Sequence, residues 1–368
     1  MNKAIVAVAG AGKTTMLAHA VSQEKDRSRT VVLTYTTTNQ LEDAVRISKV
    51  LDRGTQIPRV TGWCAFLLNE IIRPYLPTLY PHVSLSGLAM SEPNSFKYLK
   101  GSNKYFSREG FAYPSFLGKL AVDVIEASKG AAIRRLESIY DTIYLDEAQD
   151  IRGNDLCVLE SLLRSSIQLF IVLDPRQSTL STTSRDTKYK KNYKSHGILE
   201  LYRLWERQGL LGIEYENETR RATPRIASFS DAILGPNIGL GETISNVPER
   251  GRHDGVFLID RNETEEYSEA HHATLLAIKQ SSTYAAIETV NFKLSKGMTR
   301  DDIIVVATGP IEQFLSKGKP LPPESACGFY VAVTRAKYSV AIAVKNPPKM
   351  LAAMTTLPLW KGIDIQLA

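Results

Sequence analysis

The sequence has few of the residues on which disulfide-rich and zinc-dependent folds are built. Its 368 residues include only three cysteines, Cys64, Cys157 and Cys327, and these stand far apart. That number and spacing exclude a disulfide framework and a structural zinc site, and they predict three buried thiols in a reducing compartment. The adjacent pair His271 and His272 has no further His or Cys close to it in sequence, so no metal site is predicted there.

Long apolar runs are also missing. A membrane-spanning helix needs roughly 18–20 consecutive apolar residues, and no stretch of this sequence approaches that length. Lys3 and the following AIVAVAGA have the order of charge and apolar residues found in a signal peptide, but Gly12-Lys13-Thr14-Thr15 ends the stretch early. We therefore predict a soluble, cytoplasmic protein with no membrane partner.

The composition that remains is that of an ordinary globular protein of about two domains. Hydrophobic residues make up 43% and charged residues 23% of the chain. The 45 Lys and Arg exceed the 39 Asp and Glu, giving a formal net charge of +6. This mild basic excess permits a polyanionic partner without requiring one, since the position of charges matters more than their sum.

A glycine-rich segment carries the first chemical signal. Residues 7–15 read AVAGAGKTT, which matches the phosphate-binding pattern G-x-x-x-x-G-K-[ST] except that Ala7 replaces the first glycine. A buried strand is predicted before it and a helix after it, and this context disfavours an incidental glycine-rich turn. Lys13 would contact the β- and γ-phosphates, and Thr14 would ligate Mg²⁺. The predicted nucleotide-binding residues of the loop are Gly10, Ala11, Gly12, Lys13, Thr14 and Thr15.

A second signal is the acidic end of a buried strand in TIYLDEAQD, residues 142–150. Ligands of open parallel sheets bind at the carboxyl ends of the strands. Asp146 is therefore predicted to hold Mg²⁺ through water, and Glu147 to orient or deprotonate the attacking water. An acidic strand end alone is usually a solvated turn, but paired with the phosphate loop it predicts a nucleotide site.

LDEAQD, together with the loop in which alanine replaces the first glycine, resembles the UvrD/Rep-like superfamily 1 helicases. Later segments resemble further motifs in the family's order, so the likeness runs from residue 4 to about 344. They are LTYTTTN (33–39), VTGWCAFLL (60–68), LDPRQS (173–178), TRRATPRI (219–226), NFKLSKGMTRDDIIVV (291–306) and FYVAVTRAKYSVAIAV (329–344). The resemblance implies ATP and Mg²⁺ as cofactors, single-stranded or tailed DNA as partner, and 3′ to 5′ polarity.

The resemblance also assigns roles to single residues. Those implied to act on the γ-phosphate are Gln177, Arg221 and Arg335, the two arginines as fingers that complete the site. Those implied to contact the nucleotide elsewhere are Arg220 and Gly297. Those implied to touch DNA are Thr36, Asn39, Thr61 and Trp63. The sequence departs from the family at Arg220, where a stacking Tyr is usual, at Thr299, where Glu is usual, and at Gly62-Trp63, which replaces an aromatic-His pair. The upstream Gln segment that reads adenine in the family is also missing.

A basic and aromatic segment follows Gln177 where the family usually has a base-stacking aromatic. Residues 185–194 carry five positive charges and one negative charge, with Tyr189 and Tyr193 between them. Phosphates pair with cations while bases stack on aromatic rings, so Lys188, Tyr189, Lys190 and Tyr193 are predicted to bind single-stranded nucleic acid. The alternative is a solvated basic loop. A similar segment, residues 96–109, is either a second such face or part of the core.

Short apolar runs alternate with helical stretches, which predicts the α/β class with parallel sheets. The resemblance implies two RecA-like domains with an ATP site in the cleft between them. We place the first at 1–212, with a short insertion at about 72–120, and the second at 213–368, without the family's large accessory insertion. In the second domain the pattern predicts a helix over 265–279 and strands over 255–260, 303–308 and 338–344.

The function predicted is an ATP-dependent DNA helicase or translocase, or a single-stranded-DNA-dependent ATPase, of the UvrD-like type. The leading alternative is an ATP-gated regulatory or sensor subunit that partners a nuclease and unwinds little DNA. Small UvrD-like chains of anti-phage defence systems are similar to this one in lacking the accessory subdomains. An inactive scaffold is disfavoured, since six residues expected of the site are all present: Lys13, Asp146, Glu147, Gln177, Arg221 and Arg335.

Overall fold

A computed structural model describes the chain at residues 1–52, 54–93, 95–96, 98–180, 188–189, 193, 195–234, 238–278, 284, 287–347 and 357–360. The chain divides into two compact units. The first unit consists of Met1–Val6, Lys13–Leu173 and Leu180–Tyr215, and the second of Ala7–Gly12, Asp174–Thr179 and Glu216–Ala368. Part of the phosphate loop therefore belongs to the second unit. The domain boundary placed at 212/213 stays a prediction.

The first unit is built on a six-stranded sheet. The strands of this part of the chain are β1 (Lys3–Ala7), β2 (Thr30–Thr34), β3 (Arg59–Gly62), the short pair β4 (Gly87–Leu88) and β5 (Phe111–Ala112), β6 (Thr142–Leu145), β7 (Gln168–Leu173) and β8 (Gly212–Glu216). The sheet order is β3-β2-β6-β7-β1-β8, and β4 and β5 form a separate two-stranded pair. β1 with β7, β7 with β6, β6 with β2 and β2 with β3 all run parallel. The loop-bearing strand β1 and the acidic strand β6 are thus separated by one strand.

The central strands are buried along their whole length, which is why they occur as continuous apolar runs rather than as an alternation. Helices cover the sheet as crossover connections between the parallel strands. They are α1 (Lys13–Ser22), α2 (Thr37–Val50), α3 (Trp63–Phe66), α4 (Arg73–Tyr75), α5 (Leu117–Ala127), α6 (Ala131–Ile139), α7 (Asp155–Leu163) and α8 (Ile198–Arg207). A π-helical turn over Leu67–Ile72 joins α3 to α4.

The second unit has its own five-stranded sheet in the order β11-β15-β14-β12-β13, with every pairing parallel. Its strands are β9 (Glu218–Thr219), β10 (Ile244–Ser245), β11 (Gly255–Asp260), β12 (Thr274–Ala277), β13 (Thr289–Asn291), β14 (Arg300–Val306) and β15 (Ala336–Val344). Its helices are α9 (Pro224–Leu234), α10 (Thr264–His271), α11 (Gly309–Lys317) and α12 (Pro323–Val333). β9 and β10 form a separate parallel pair. The α/β class with parallel sheets, as predicted from the sequence, is confirmed.

One secondary-structure prediction for the second unit is wrong in its second half. The helix predicted over 265–279 ends at His271, because His272 takes a left-handed conformation with φ 51°. Residues 274–277 then form β12, which is buried at every position. A short apolar run such as ATLLA suits a buried strand as well as a helix, and only its strand neighbours β13 and β14 decide between them.

Within the described residues, no helix has the length and apolar character needed to cross a membrane. All three cysteines are free thiols. Cys327 is buried, whereas Cys64 and Cys157 are half-buried, so the predicted burial is confirmed for Cys327 alone among the three.

Candidate functional site

The phosphate loop has the backbone conformation that its glycines allow. Between β1 and α1 the chain turns through Gly10 at φ 82° and Gly12 at φ 89°, and the N–H of Ala11 donates to the carbonyl of Val8 (3.2 Å). Residues with a side chain rarely adopt such φ values, so both glycines are needed for the turn. α1 begins directly at Lys13, which places the N-terminal N–H groups of a helix at the end of the loop.

Gly10 is also required by a close approach within the second unit. A Cβ at this position would lie 2.5 Å from Oγ1 of Thr219 and 2.6 Å from Cβ of Arg221. The backbone N–H of Arg220 donates to the carbonyl of Gly10 (3.0 Å), and the hydroxyl of Thr219 donates to the carbonyl of Ala9 (2.7 Å). The structure thus brings the predicted residues Gly10, Arg220 and Arg221 together, with the Arg220 side chain exposed.

Thr14 and Asp146 meet in the first unit as the sequence motifs require. The Thr14 hydroxyl donates to Oδ2 of Asp146 at 3.1 Å. Lys13, only 8% exposed, has an ammonium group that acts against the rise in the pKa of Asp146. Burial and the neighbouring Glu147 raise that pKa to about 6. A positive charge, a hydroxyl and a buried carboxylate are therefore gathered at the carboxyl end of β6.

These oxygen donors fit Mg²⁺, a hard cation that is usually bound by one or two carboxylates together with waters and substrate phosphates. Across the part of the chain that the structure describes, no group of three or more His, Cys, Asp or Glu is arranged to hold a metal on its own. A site that the phosphates complete is consistent with both observations. Thr14 and Asp146 would be the residues that hold the ion.

Glu147 has a strained backbone and a fixed carboxylate. It lies in the left-handed region at φ 53°, a conformation that is uncommon for a residue with a side chain. Its N–H donates to Oδ1 of Asp146 (2.8 Å), and the side-chain amide of Gln149 donates to its carboxylate. Strain of this kind is concentrated at functional sites, where the surrounding contacts maintain it. The half-buried carboxylate of Glu147 is thus held in one position beside Asp146.

In the second unit, Gln177 and Arg335 are joined in one buried network. Arg335 is 1% exposed, and its Nη2 donates to Oε1 of Gln177 at 3.0 Å. The amide Nε2 of Gln177 in turn donates to Oδ2 of Asp174 at 2.9 Å. The Arg176 guanidinium pairs with the same carboxylate through Nε to Oδ1 (3.2 Å). Asp174, which is fully buried, therefore fixes the position of the amide that faces Arg335.

The same network reaches the phosphate loop through Tyr330. The Tyr330 hydroxyl donates to Oδ2 of Asp174 (3.4 Å) and accepts the backbone N–H of Ala9 (3.3 Å). Burial raises the pKa of this phenol, so it stays protonated and can donate at neutral pH. Ala9 of the loop is therefore two hydrogen bonds from Asp174 and three from Gln177.

Two more predicted residues lie around Arg335. Arg335 Nη1 donates to the carbonyls of Ser295 (3.4 Å) and Met298 (3.5 Å), which flank Gly297. Gly297 is exposed and adopts φ 83°. Arg221 Nη1 donates to the carbonyl of Thr334, the residue before Arg335 (3.3 Å). The two predicted finger arginines thus anchor to the same turn at the end of α12.

The residues predicted to touch DNA are found in different environments. Thr36 caps the start of α2, where its hydroxyl accepts the N–H of Asn39 (3.2 Å). Thr61 is 9% exposed in β3. Trp63 is 1% exposed and packs against Phe66 at 6.2 Å between ring centroids, so in this conformation it presents no ring face to a base. The DNA contacts of these residues stay predictions.

The basic and aromatic segment brings its two tyrosines together. The ring centroids of Tyr189 and Tyr193 are 5.6 Å apart, both rings are half-buried, and the exposed Lys188 lies over Tyr189 at 5.5 Å. Beside Tyr189 is a cavity of about 240 Å³, bounded by α5 and α7. Lys190 lies outside the described residues. In the other such segment, 96–109, Tyr105 and Phe106 are core residues at 8% and 3% exposure, which favours the core alternative for those two rings.

Sequence reasoning missed Asp174, Tyr330 and Asp43. Asp174 and Tyr330 lie inside the segments that resemble family motifs, but nothing in their spacing indicates that they meet. The burial of Asp43 could have been predicted from the sequence. Asp43 lies four residues before Ile47 and therefore on the same face of α2, and Ile47 is fully buried. An aspartate on the apolar face of a helix is unusual enough to mark a site.

Comparisons with known proteins give little beyond this geometry. No protein-family model matches the chain. No curated protein matches it either. Among solved structures, similarity is found to the arterivirus nonstructural protein 10 helicase in complex with DNA, at 11% identity and a TM-score of 0.47. The same arterivirus helicase without DNA gives 12% identity and a TM-score of 0.47. The alignments cover 96% of this chain but only 63% and 62% of the helicase chains, so this chain spans less than two thirds of their length.

Proposed function

We propose that the chain is a motor ATPase that hydrolyses ATP with Mg²⁺ and moves along single-stranded DNA, as a translocase or helicase of the UvrD-like type. The observation that carries this proposal is the contact of Thr14 with Asp146 beside Lys13. It joins the phosphate loop to the acidic strand end, two motifs separated by more than a hundred residues in sequence. An incidental glycine-rich turn has no reason to place its hydroxyl on this carboxylate.

The residues of the first unit supply the parts that phosphoryl transfer needs. Lys13 binds the β- and γ-phosphates, and Glu147, held by Gln149, orients the attacking water and accepts its proton. A magnesium ion held by Thr14 and Asp146 would neutralise charge on the phosphate oxygens. The strand order supports a RecA-like arrangement, because the loop-bearing β1 and the acidic β6 end at the same edge of one parallel sheet.

The second unit supplies two arginines and a chain of hydrogen bonds to the phosphate loop. Arg335 and Arg221 would act on the transferred phosphate, where positive charge stabilises the transition state. In this structure Arg335 bonds to Gln177, and Gln177 bonds to Asp174, whose partner Tyr330 contacts the loop at Ala9. Binding and loss of the γ-phosphate would change the hydrogen-bond partners of Arg335 and Gln177. This would shift the part of the chain around Gln177, which precedes the basic and aromatic segment. Such a nucleotide-dependent exchange of contacts is how a motor couples hydrolysis to binding of its track.

The direct test is ATP hydrolysis with and without nucleic acid. We expect single-stranded DNA to stimulate the rate severalfold or more, blunt duplex to do so far less, and tailed duplex to be unwound from a 3′ tail. Absence of ATP turnover under all these conditions would contradict the proposal. Strong stimulation without strand separation would instead favour the ATP-gated regulatory subunit that partners a nuclease.

Tyr189 and Tyr193 provide a prediction for the DNA interface. Replacing both with alanine should weaken binding of an oligothymidine by roughly 1–3 kcal/mol for each stacked base that is lost. Fluorescence anisotropy at several salt concentrations measures this, and the salt slope should stay near that of the wild type because no cation is removed. Tyr215, a 44% exposed tyrosine of the same unit, gives the matched control Tyr215→Ala. Unchanged affinity in the double variant would remove this segment from the DNA site.

A further inference from the structure

Asp43 is a buried carboxylate that the proposed mechanism leaves without a role. It lies in the second turn of α2 and is only 1% exposed. Its Oδ2 has no hydrogen-bond partner in the protein. Buried aspartates are rare unless they are paired, because an unpaired polar atom loses its hydration without compensation. Its position therefore needs an explanation.

The surroundings of Asp43 are acidic. Its carboxyl lies within hydrogen-bonding reach of the Asp146 carboxyl, and its strongest electrostatic influences come from Asp146, Glu147 and the neighbouring Glu42. Burial and these like charges raise the pKa of Asp43 to about 9. Three carboxylates therefore converge at the carboxyl end of β6, where Lys13 is the cation that acts on Asp146. In the bare protein this arrangement is unfavourable, because Asp43 must either carry a buried charge beside like charges or bind a proton at neutral pH, where a free aspartate is ionised.

Such a cluster becomes favourable when it binds a cation that keeps part of its hydration shell. Both oxygens of Asp146 already have partners, Thr14 on one and the N–H of Glu147 on the other. Magnesium keeps several of its waters in nucleotide sites, and the protons of these waters need acceptors. The unpartnered Oδ2 of Asp43, beside the carboxylate that would hold the ion, is such an acceptor. The surrounding groups are oxygens, which suit a hard divalent cation better than any soft metal.

We propose that Asp43 is a third carboxylate of the metal–nucleotide site, accepting a hydrogen bond from water on the divalent cation that Thr14 and Asp146 hold. The inference rests on the proposed nucleotide site and adds to it a positioning residue for the cation. Partners of this outer kind fix the geometry around a metal, and their loss typically weakens metal affinity about 10- to 100-fold. Asp43 would thus lower the stability of the metal-free protein and raise its affinity for the cation.

The variant Asp43→Asn keeps the shape of the side chain and replaces its carboxyl group by a neutral amide. Its matched control is Asp52→Asn, the same substitution at an exposed aspartate just beyond the end of α2. Two quantities are measured on the full chain. One is Mn²⁺ binding in saturating ADP, followed by the electron paramagnetic resonance signal of free Mn²⁺. The other is the melting temperature in EDTA without nucleotide.

We expect Asp43→Asn to weaken Mn²⁺ binding about 10-fold or more, with a melting temperature at or above that of the wild type. Asp52→Asn should match the wild type in both. Unchanged Mn²⁺ affinity in Asp43→Asn overturns the inference. Weaker binding with a lower melting temperature also overturns it, because Asp43 would then be merely structural. If the wild type itself binds no Mn²⁺ with ADP, the proposed nucleotide site fails and the inference fails with it.

Discussion

Replacing Lys13 with alanine is expected to lower the rate of ATP hydrolysis at least about 10²–10³-fold, both with and without DNA. Lys13 follows directly on the turn at Gly12, at the first position of α1, and its buried ammonium acts on Asp146. A cation that is already desolvated and in place stabilises charge on the transferred phosphate without reorganisation. Its loss removes this stabilisation and leaves Asp146 without the positive charge that acts on it.

The Lys13→Ala measurement needs two accompanying observations. Lys25 is an exposed lysine just beyond α1, so Lys25→Ala should keep the wild-type rate while making the same chemical change. The melting temperature of Lys13→Ala shows whether the fold survives, since a buried charge has been removed beside a carboxylate. Wild-type turnover in a folded Lys13→Ala protein would contradict the assignment of the loop as the phosphate site.

Local sequence patterns predict much of the secondary structure. They fail where contacts between residues distant in sequence decide the conformation. The runs around β1, β2, β6 and β7 are apolar throughout because both faces of a covered parallel sheet are buried, so the sequence predicts them well. The run at 274–277 is just as apolar but follows a helical pattern without a break, and only pairing with β13 and β14 makes it a strand. The burial of Trp63 against Phe66 likewise depends on packing that its motif position does not reveal, and its contact with DNA stays a prediction.

The candidate site divides in the same way. Thr14 and Asp146 were predicted together, because a phosphate loop and an acidic strand end have one known geometric relation in a parallel sheet. The connection from Ala9 through Tyr330 to Asp174 joins residues more than 150 positions apart, and no periodicity encodes it. Asp43 was missed for a different reason. Its burial is visible as an interruption of an apolar helix face, but its meaning depends on Asp146 and Glu147 standing opposite.

Replacing Arg335 with alanine is expected to reduce ATP hydrolysis by about 10³–10⁵-fold, the range for an arginine finger. The guanidinium is 1% exposed and already oriented by Val331 and Gln177 (3.0 Å each), so little ordering is left to do when the phosphate arrives. Arg335→Lys should recover only a small part of the rate, because a lysine is a point charge and cannot contact Gln177 and a phosphate oxygen with one rigid fork.

A buried arginine also supports the fold, and the Arg335 experiment must separate that contribution from catalysis. Arg261 is a suitable control, since it is a largely buried arginine of the same unit that donates to the Ala307 carbonyl and to Glu312. Arg261→Ala should lower the melting temperature yet leave the rate per folded molecule near that of the wild type. Arg335→Ala should instead lower the rate per folded molecule much more than it lowers the melting temperature. Its ADP affinity should change far less than its turnover, because an arginine finger acts mainly on the charge that develops in the transition state. If Arg335→Ala and Arg261→Ala lose activity only in proportion to lost folded protein, Arg335 is structural and its assignment as an arginine finger is wrong.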